Sequence, residues 1–182
     1  MTVDEIFARL ASHMREGAHV HDTISRAYDF IGLCGFAKCH AYHFIEETKG
    51  YECLVHYYSA HYHKLLTIDD APKHDLIPST WYKYATKDVD VSTKRQATRD
   101  LMKAWADWET ETKKLYQDMY KELCDLGEIM AAEKVKCYVF DVEKELIYVE
   151  KKLIKLETLD YNIGKILSWQ KPMYDKYKKK LK

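Results

Sequence analysis

The residues best suited to chemistry in this sequence lie between Gly35 and Gly50, in the stretch GFAKCHAYHFIEETKG. His40, His43 and Glu47 follow one another at spacings of three and four residues, which places them along one side of a helix. Imidazole and carboxylate groups are ligands that iron, zinc and copper accept in proteins. The stripe therefore predicts either a metal site or a polar strip at a surface or interface, depending on how the helix is rotated.

Two further carboxylates, Glu109 and Glu145, border apolar helical stripes. Each could instead be a flank carboxylate paired with a lysine, and Lys113 follows Glu109 by one helical turn. A second histidine-rich stretch, HYHKLL, could form a surface metal cluster. His61 and His63 would point to different sides of a helix, however, which argues against that cluster.

Four long segments with helical periodicity would position these residues. The first segment begins with a capping box formed by Thr2 and Glu5, and it ends in a tight corner at Gly32 and Gly35. The second segment extends from about Phe36 to Leu66 and keeps a three-four apolar repeat. These features predict two neighbouring helices joined by a short connection.

A connection of about 25 residues, 67–92, separates the second segment from the third. The third segment follows a cap at Ser92 or Thr93 and stops at Gly127. The fourth segment has a regular apolar stripe from Val135 to Leu156. Short, long and short connections predict an all-α four-helix bundle with one long crossover between helices 2 and 3.

A shorter amphipathic piece follows Asn162 and meets Pro172, which predicts a short C-terminal helix. No repeat or low-complexity linker divides the chain, so residues 1–182 are expected to form one domain. The tryptophans Trp105 and Trp108 are expected to anchor the core.

Composition excludes several classes of function. Lys and Arg together number 29 and Asp and Glu also number 29, so no net field favours nucleic acid as a partner. No apolar run approaches the roughly 20 residues that a membrane-spanning helix needs. The N-terminus lacks the apolar core of a signal peptide, and the five cysteines form no Cys-x-x-Cys pair. These features predict a cytoplasmic protein with free thiols and no membrane partner.

Three stretches resemble ferritins. GLCGFAKCHAYHFIEE is similar to the first corner and second helix of that family, AWADWE to its third-helix glutamate region, and CYVFDVEKE to its fourth helix. The resemblance extends over nearly the whole chain. It implies a ferritin-like bundle that binds iron and oxidises iron(II) with dioxygen or peroxide, and it implies assembly into a homo-oligomer.

The resemblance also implies a set of metal ligands. The second-helix glutamate of the family falls on Glu47 and the third-helix glutamate on Glu109. The late fourth-helix carboxylate falls on Glu145, with Asp141 one turn earlier. Carboxylates suit iron because its ions prefer oxygen ligands. The expected cofactor is therefore iron or another transition metal.

Three ligand positions of the family are lost in this chain. The first-helix glutamate falls on Met14, the histidine of Glu-x-x-His on Gly50, and the fourth-helix glutamine on Val142. Glu16, close to Met14, and His43, one turn before Glu47, are the expected substitutes. A mid-helix glycine costs about 1 kcal/mol relative to alanine, and nothing in the sequence indicates what offsets it.

Two other functions fit the same pattern. The chain could be a non-catalytic bundle with a degenerate metal site that acts as a structural or protein-interaction module. Its tyrosine-rich segment VHYYSAHYHKLL would then be a candidate contact face for a protein partner. A bundle that binds haem or a small apolar ligand is the third possibility, although no motif supports it.

Overall fold

The structure, a computed structural model, describes residues 1–68 and 89–182. Within these ranges it contains five α-helices and no strand, which confirms the predicted all-α bundle with a short C-terminal helix. The crossover between helices 2 and 3 has the predicted place in the chain, but residues 69–88 lie outside the described ranges. The helices are α1 (Val3–Phe30), α2 (Cys34–Tyr62), α3 (Val91–Asp125), α4 (Ile129–Thr158) and α5 (Ile163–Lys180).

Several predicted helix ends are confirmed. Thr2 and Glu5 form the capping box, since the Thr2 hydroxyl accepts from the Glu5 amide at 3.3 Å and the Glu5 carboxylate accepts from the Thr2 amide at 2.7 Å. Gly32 follows α1 with a φ of 80°, and Gly127 follows α3 with a φ of 77°. Glycine suits both corners because this left-handed region strains other residues.

Gly35 differs from its prediction as part of the corner, because it lies in the first turn of α2. A Cβ atom added there would lie 2.8 Å from the carbonyl oxygen of Gln170 in α5. The Gly35 amide also donates to the Gln170 side-chain oxygen at 3.0 Å. This glycine therefore allows the fifth helix to pack closely against the second.

Other boundaries shift by a few residues. Helix α3 is capped by Asp90 rather than Ser92 or Thr93, because the Asp90 carboxylate accepts from the Thr93 amide at 2.8 Å. Helix α2 stops at Tyr62, before the predicted Leu66, where His63 takes a left-handed φ of 53°. Helix α5, which contains Pro172, extends to Lys180.

The helices α1 and α2 pack as one pair, α3 and α4 as another, and α5 lies mainly on α2. The buried apolar side chains form two clusters at different levels along the bundle. One cluster contains Phe7, Met14, Leu54 and Tyr116, and the other contains Ile24, Phe36 and Val149 together with Trp105 and Trp108. The tryptophans are 0% and 1% exposed, which confirms them as core residues.

Candidate metal centre

A layer of ionisable side chains lies between the two apolar clusters. Along α2, α3 and α4, its members fall in the interval between residues of one cluster and residues of the other, and on α1 His21 directly follows Val20, at the edge of the cluster that contains Trp105. We call this group the polar layer; its members are His21 of α1, His40, His43 and Glu47 of α2, Glu109 of α3, and Glu145 of α4. The side chains of all four helices therefore converge at one level of the core.

The first half of the polar layer is a buried pair between α1 and α3. The His21 Nε2 atom lies 3.6 Å from Glu109 Oε1, and the side chains are 1% and 4% exposed. The indole nitrogen of Trp105 donates to the same carboxylate oxygen at 3.0 Å. Lys113, considered from sequence as the partner of Glu109, instead pairs with Glu143 at 2.9 Å. Glu109 is thus an interior carboxylate and not a lysine-paired flank residue.

The second half is a pair between α2 and α4. The His43 Nε2 atom lies 3.2 Å from Glu145 Oε1, with side chains that are 12% and 25% exposed. Neither atom has a hydrogen-bond partner among the described residues, although both atoms are buried. This pair is closer to solvent than the pair of His21 and Glu109, and it has unused donor or acceptor capacity.

Glu47 adds a third carboxylate. A Cβ atom added at Gly17 of α1 would lie 3.2 Å from Glu47 Cδ, so the absence of a side chain there leaves room for this carboxyl group. Burial, followed by repulsion from Glu109, Glu145 and Glu46, raises the pKa of Glu47 to about 8.

The other two carboxyl groups behave in the same way. Burial is the first cause that raises the pKa of Glu109 to about 8, with the hydrogen bond from Trp105 acting in the opposite direction. Burial and repulsion from Glu109 raise the pKa of Glu145 to about 8. These groups hold protons at neutral pH in the metal-free protein, and a nearby cation would stabilise their ionised forms.

The histidines are neutral for the complementary reason. Burial lowers the pKa of His21 to about 3 and lowers the pKa of His40 and His43 well below the ordinary value. A neutral imidazole has one nitrogen lone pair available to a metal. Because His40 is 0% exposed and His43 nearly buried, the interpretation of their stripe as a solvated surface strip is wrong.

The ligand positions that the ferritin resemblance left empty have become apolar. Met14 is 2% exposed and Val142 5% exposed. A Cβ atom at Gly50 would lie 3.8 Å from the Met14 sulfur, so these two residues face each other. The methionine side chain occupies space next to the glycine, at the two positions to which the resemblance assigns a glutamate and a histidine.

One predicted ligand, Asp141, is not brought into the polar layer, because it is 68% exposed and its carboxylate binds Lys144 at 2.8 Å. Glu16 is buried on α1, one residue before Gly17, and it stays a predicted ligand.

His21 is the member of the polar layer that the sequence analysis missed. It lies seven residues after Met14, and this spacing of two turns places both residues on the same face of α1. The signal was therefore present, but a single histidine on an apolar face is usual in bundle cores and has no motif around it.

The donor types of the polar layer fit a transition metal ion. Neutral imidazole nitrogen and carboxylate oxygen are the ligands that iron, zinc, copper and nickel share. In residues 1–68 and 89–182, however, no three His, Cys, Asp or Glu side chains are close enough together to hold an ion as they stand. The partnerless atoms of His43 and Glu145 are those that a cation would satisfy after a side-chain adjustment.

Three tyrosines of the tyrosine-rich segment face α1. Tyr57, Tyr58 and Tyr62 all pack on Phe7 of α1, with ring centroids 5.9, 5.2 and 5.9 Å away. His61 is exposed and stacks on Tyr57 at 5.3 Å. These rings tie α2 to α1, which accounts for their number on this helix.

Comparisons with known proteins identify the fold. No family model and no curated protein matches the sequence. Among solved structures, a humanized archaeal ferritin matches at a TM-score of 0.76 with 14% identity, over 94% of this chain and 94% of that one. A closed form of Archaeoglobus fulgidus ferritin, made by site-directed mutagenesis, matches at 0.72 with 14% identity, over 96% of both chains. An iron-soaked variant of PmFTN matches at 0.75 with 11% identity, over 92% of this chain and 95% of that one.

The chain therefore has a ferritin-like fold, as its sequence resemblance predicted, at only 11–14% sequence identity to these structures. Of the described helices, none combines the length and the apolar character that crossing a membrane requires.

Proposed function

We propose that this protein binds a divalent transition metal inside the bundle and oxidises iron(II). The proposed ligands are Glu47, Glu109, Glu145 and His43, together with His21. The observation that carries the proposal is the convergence of two histidine–glutamate pairs, at 3.6 and 3.2 Å, from four different helices. Ferritins among the structural neighbours, one of them soaked in iron, support iron as the first metal to test.

Each side chain has a separate role in this proposal. Glu47 lies close enough to Glu109 and Glu145 for their charges to raise its pKa, so it is suited to sharing a cation with both. His21 and His43 supply one neutral nitrogen each. Iron(II) is the substrate here: each ion gives up one electron, so two ions reduce one dioxygen to hydrogen peroxide, or one hydrogen peroxide to two waters, and either reduction consumes two protons. Protons released by the carboxyl groups leave on the side of Glu145, whose side chain is 25% exposed.

The test compares two adjacent glutamates. Untagged protein is incubated with iron(II) without oxygen and desalted, and its iron is measured by inductively coupled plasma mass spectrometry. We expect Glu47→Gln to lose the retained iron and to slow iron(II) oxidation followed by absorbance. Glu46→Gln is the matched control, because Glu46 is exposed and binds the Tyr42 hydroxyl at 2.7 Å.

Two results would contradict the proposal. Iron retention in the wild-type protein no greater than in a folded helical control protein would exclude the site. Equal retention and equal oxidation kinetics in Glu47→Gln and the wild type would exclude these ligands.

One observation favours a second candidate function, a non-catalytic bundle that associates with another protein or with itself. Phe140, Ile147 and Ile154 of α4 are 51%, 51% and 63% exposed. Their spacing of seven residues aligns them along one face of the helix. An exposed apolar row of this kind is typical of an interface. Self-association would be compatible with metal binding, because the row and Glu145 of the polar layer lie on opposite faces of α4.

A further inference from the structure

Cys53 of α2 and Lys134 of α4 meet where the two helix pairs of the bundle lie side by side. The Lys134 Nζ atom donates to Cys53 Sγ at 3.3 Å. The thiol is exposed and the lysine is half-buried, so small reagents can reach the sulfur while the amine lies against it. The proposed metal chemistry uses neither residue.

Two aromatic rings hold this amine in place. The Lys134 Nζ atom lies 5.2 Å from the ring centroid of Tyr138 and 5.9 Å from that of Tyr57, within the range of cation–π attraction. The neighbouring Glu133 binds Lys136 at 3.0 Å. Lys134 itself forms no ion pair with a carboxylate of the described residues. Its ammonium group is therefore kept beside the sulfur by the two rings and not drawn away by an acidic side chain.

In the described part of the chain, no other cysteine has a lysine nitrogen within hydrogen-bond distance. The Cys137 thiol donates to the Glu133 carbonyl oxygen of its own helix at 3.4 Å. The buried Cys39 sulfur lies 3.8 Å from the Tyr148 hydroxyl. The pairing of a thiol with an amine is thus particular to Cys53.

We propose that Cys53 and Lys134 form a redox-modification site, at which hydrogen peroxide joins the sulfur and the nitrogen covalently. In the first step, peroxide oxidises the thiol by two electrons to a sulfenic acid and releases one water. In the second step, the deprotonated Lys134 nitrogen attacks this sulfur, the S–O bond breaks, and the hydroxide takes a proton from the nitrogen and leaves as water. Sulfenic acids condense with nitrogen to sulfenamides in this way. One thiol, one amine and one peroxide thus give one S–N bond and two waters.

The oxidant is the product of the proposed reaction, because iron(II) reduces dioxygen to hydrogen peroxide there. The inference rests on the proposed function only for this source of peroxide. Peroxide added to metal-free protein replaces that source, so the two proposals can fail separately.

The S–N bond would connect the two helix pairs, since Cys53 belongs to the pair of α1 and α2 and Lys134 to the pair of α3 and α4. A covalent link between positions far apart in the chain restricts the unfolded state and stabilises the fold. The bond also consumes the sulfenic acid before further peroxide oxidises it irreversibly to sulfinic acid. The site therefore protects its own thiol and stabilises the bundle while peroxide is present.

The experiment adds hydrogen peroxide to the metal-free full chain, blocks the remaining thiols and digests the protein without a reductant. We expect mass spectrometry to find the Cys53 peptide joined to the Lys134 peptide, about 2 Da lighter than their sum because two hydrogens are lost. Dithiothreitol should release both peptides, since its thiolate attacks the sulfur and the lysine amine leaves. The urea midpoint should rise after peroxide treatment and return to its original value after reduction.

Lys134→Arg removes the nucleophile and keeps the positive charge, because a guanidinium is not deprotonated in proteins. We expect this variant to lose the linked peptides and to carry Cys53 as sulfinic acid at the same dose of peroxide. Lys136→Arg is the matched control, because it makes the same substitution on the same helix at a lysine that binds Glu133. It should keep the link.

Absence of the linked peptides in the wild-type protein would overturn the inference. A disulfide between Cys53 and Cys137 in place of the S–N bond, or linked peptides that persist in Lys134→Arg, would overturn it as well. The S–N link in a protein that retains no iron would support the inference and contradict the proposed function alone.

Discussion

At the scale of single residues, the packing of Met14 against Gly50 links two positions that lack a ligand of the ferritin resemblance. The sequence gives no reason for a glycine in the middle of α2, where it costs about 1 kcal/mol relative to alanine. In the structure the two residues face each other across α1 and α2, at 3.8 Å from an added Cβ to the sulfur. The methionine fills this part of the core with an apolar side chain, and the donors of the polar layer lie further along the same helices.

Gly50→Ala should therefore stabilise the protein. An added Cβ would make an ordinary contact with Met14 and meets no other atom within 4 Å. We expect the free energy of unfolding, measured in urea, to rise by about 0.5–1 kcal/mol because alanine restricts the unfolded chain. Gly17→Ala is the contrasting variant, since its Cβ would lie 3.0 Å from the Trp108 ring and 3.2 Å from Glu47. That variant should be less stable than the wild type, and stabilisation by both changes would contradict this account.

Glu109→Gln tests the raised pKa of the buried carboxyl groups. The pKa of Glu109 is about 8 in the folded protein and 4.5 in an unperturbed chain, so the folded state holds the proton more tightly. The stabilisation that comes from this tighter proton binding by Glu109 is complete below pH 4.5 and is lost as the pH rises through 8. The glutamine cannot ionise, and its oxygen can still accept the hydrogen bond of Trp105.

In the presence of a chelator, the variant should gain stability relative to the wild type by about 1 kcal/mol per pH unit between pH 6.5 and 8. Urea unfolding at several pH values in this window measures the difference. The control is Glu111→Gln, an exposed neighbour on α3 that should show no such gain. Parallel pH profiles for Glu109→Gln and the wild type would show that Glu109 is ionised in the fold.

At the scale of elements, the sequence predicted the helices better than their contacts. Capping boxes, glycine corners and three-four apolar repeats are local signals, and they located four helices and most of their ends. The position of α5 could not be predicted, because it depends on a close contact between Gly35 and Gln170, which are far apart in the chain. Helix rotation was undetermined for the same reason, so His40 could be assigned to the interior only when α1 and α3 were in place.

The contact between α5 and α2 gives a prediction at this scale. In Gly35→Ala the new Cβ would lie 2.8 Å from the Gln170 backbone oxygen, and backbone cannot move aside as easily as a side chain. We expect a loss of about 1–3 kcal/mol in the free energy of unfolding. Amide hydrogen exchange in α5 should also become faster, because the helix is displaced from α2.

Gly164→Ala provides the control for this prediction, since its nearest atom, the Asn162 side-chain oxygen, would be 3.5 Å from the new Cβ. It lies in α5 itself and should leave exchange in α5 slow. Unchanged stability in Gly35→Ala would mean that α5 does not depend on this close approach.

At the scale of the whole molecule, the polar layer divides one core into two apolar clusters. Burying so many ionisable groups is unfavourable unless they are paired, protonated or bound to a cation. The carboxylates of the layer were predicted from sequence through the ferritin resemblance, whereas the pairing of His21 with Glu109 was not. That pairing depends on how two helices from different pairs meet, and no spacing within one helix contains this information.

The outer surface of α4 leads to the last prediction, that the protein self-associates through Phe140, Ile147 and Ile154. A row of apolar residues repeated every seven positions matches the contact seam of two packed helices.

Because Ile147 is 51% exposed, replacing it with Asp should leave the fold intact and place a charge within the seam. We expect Ile147→Asp to reduce the molar mass measured by light scattering after size-exclusion chromatography, with an unchanged helical circular dichroism spectrum. Lys155→Asp, an exposed change on the same helix that points about 100° away from Ile154, should preserve the assembly. A monomeric wild-type protein, or an assembly that Ile147→Asp leaves whole, would remove α4 as the interface and leave the row available for another protein.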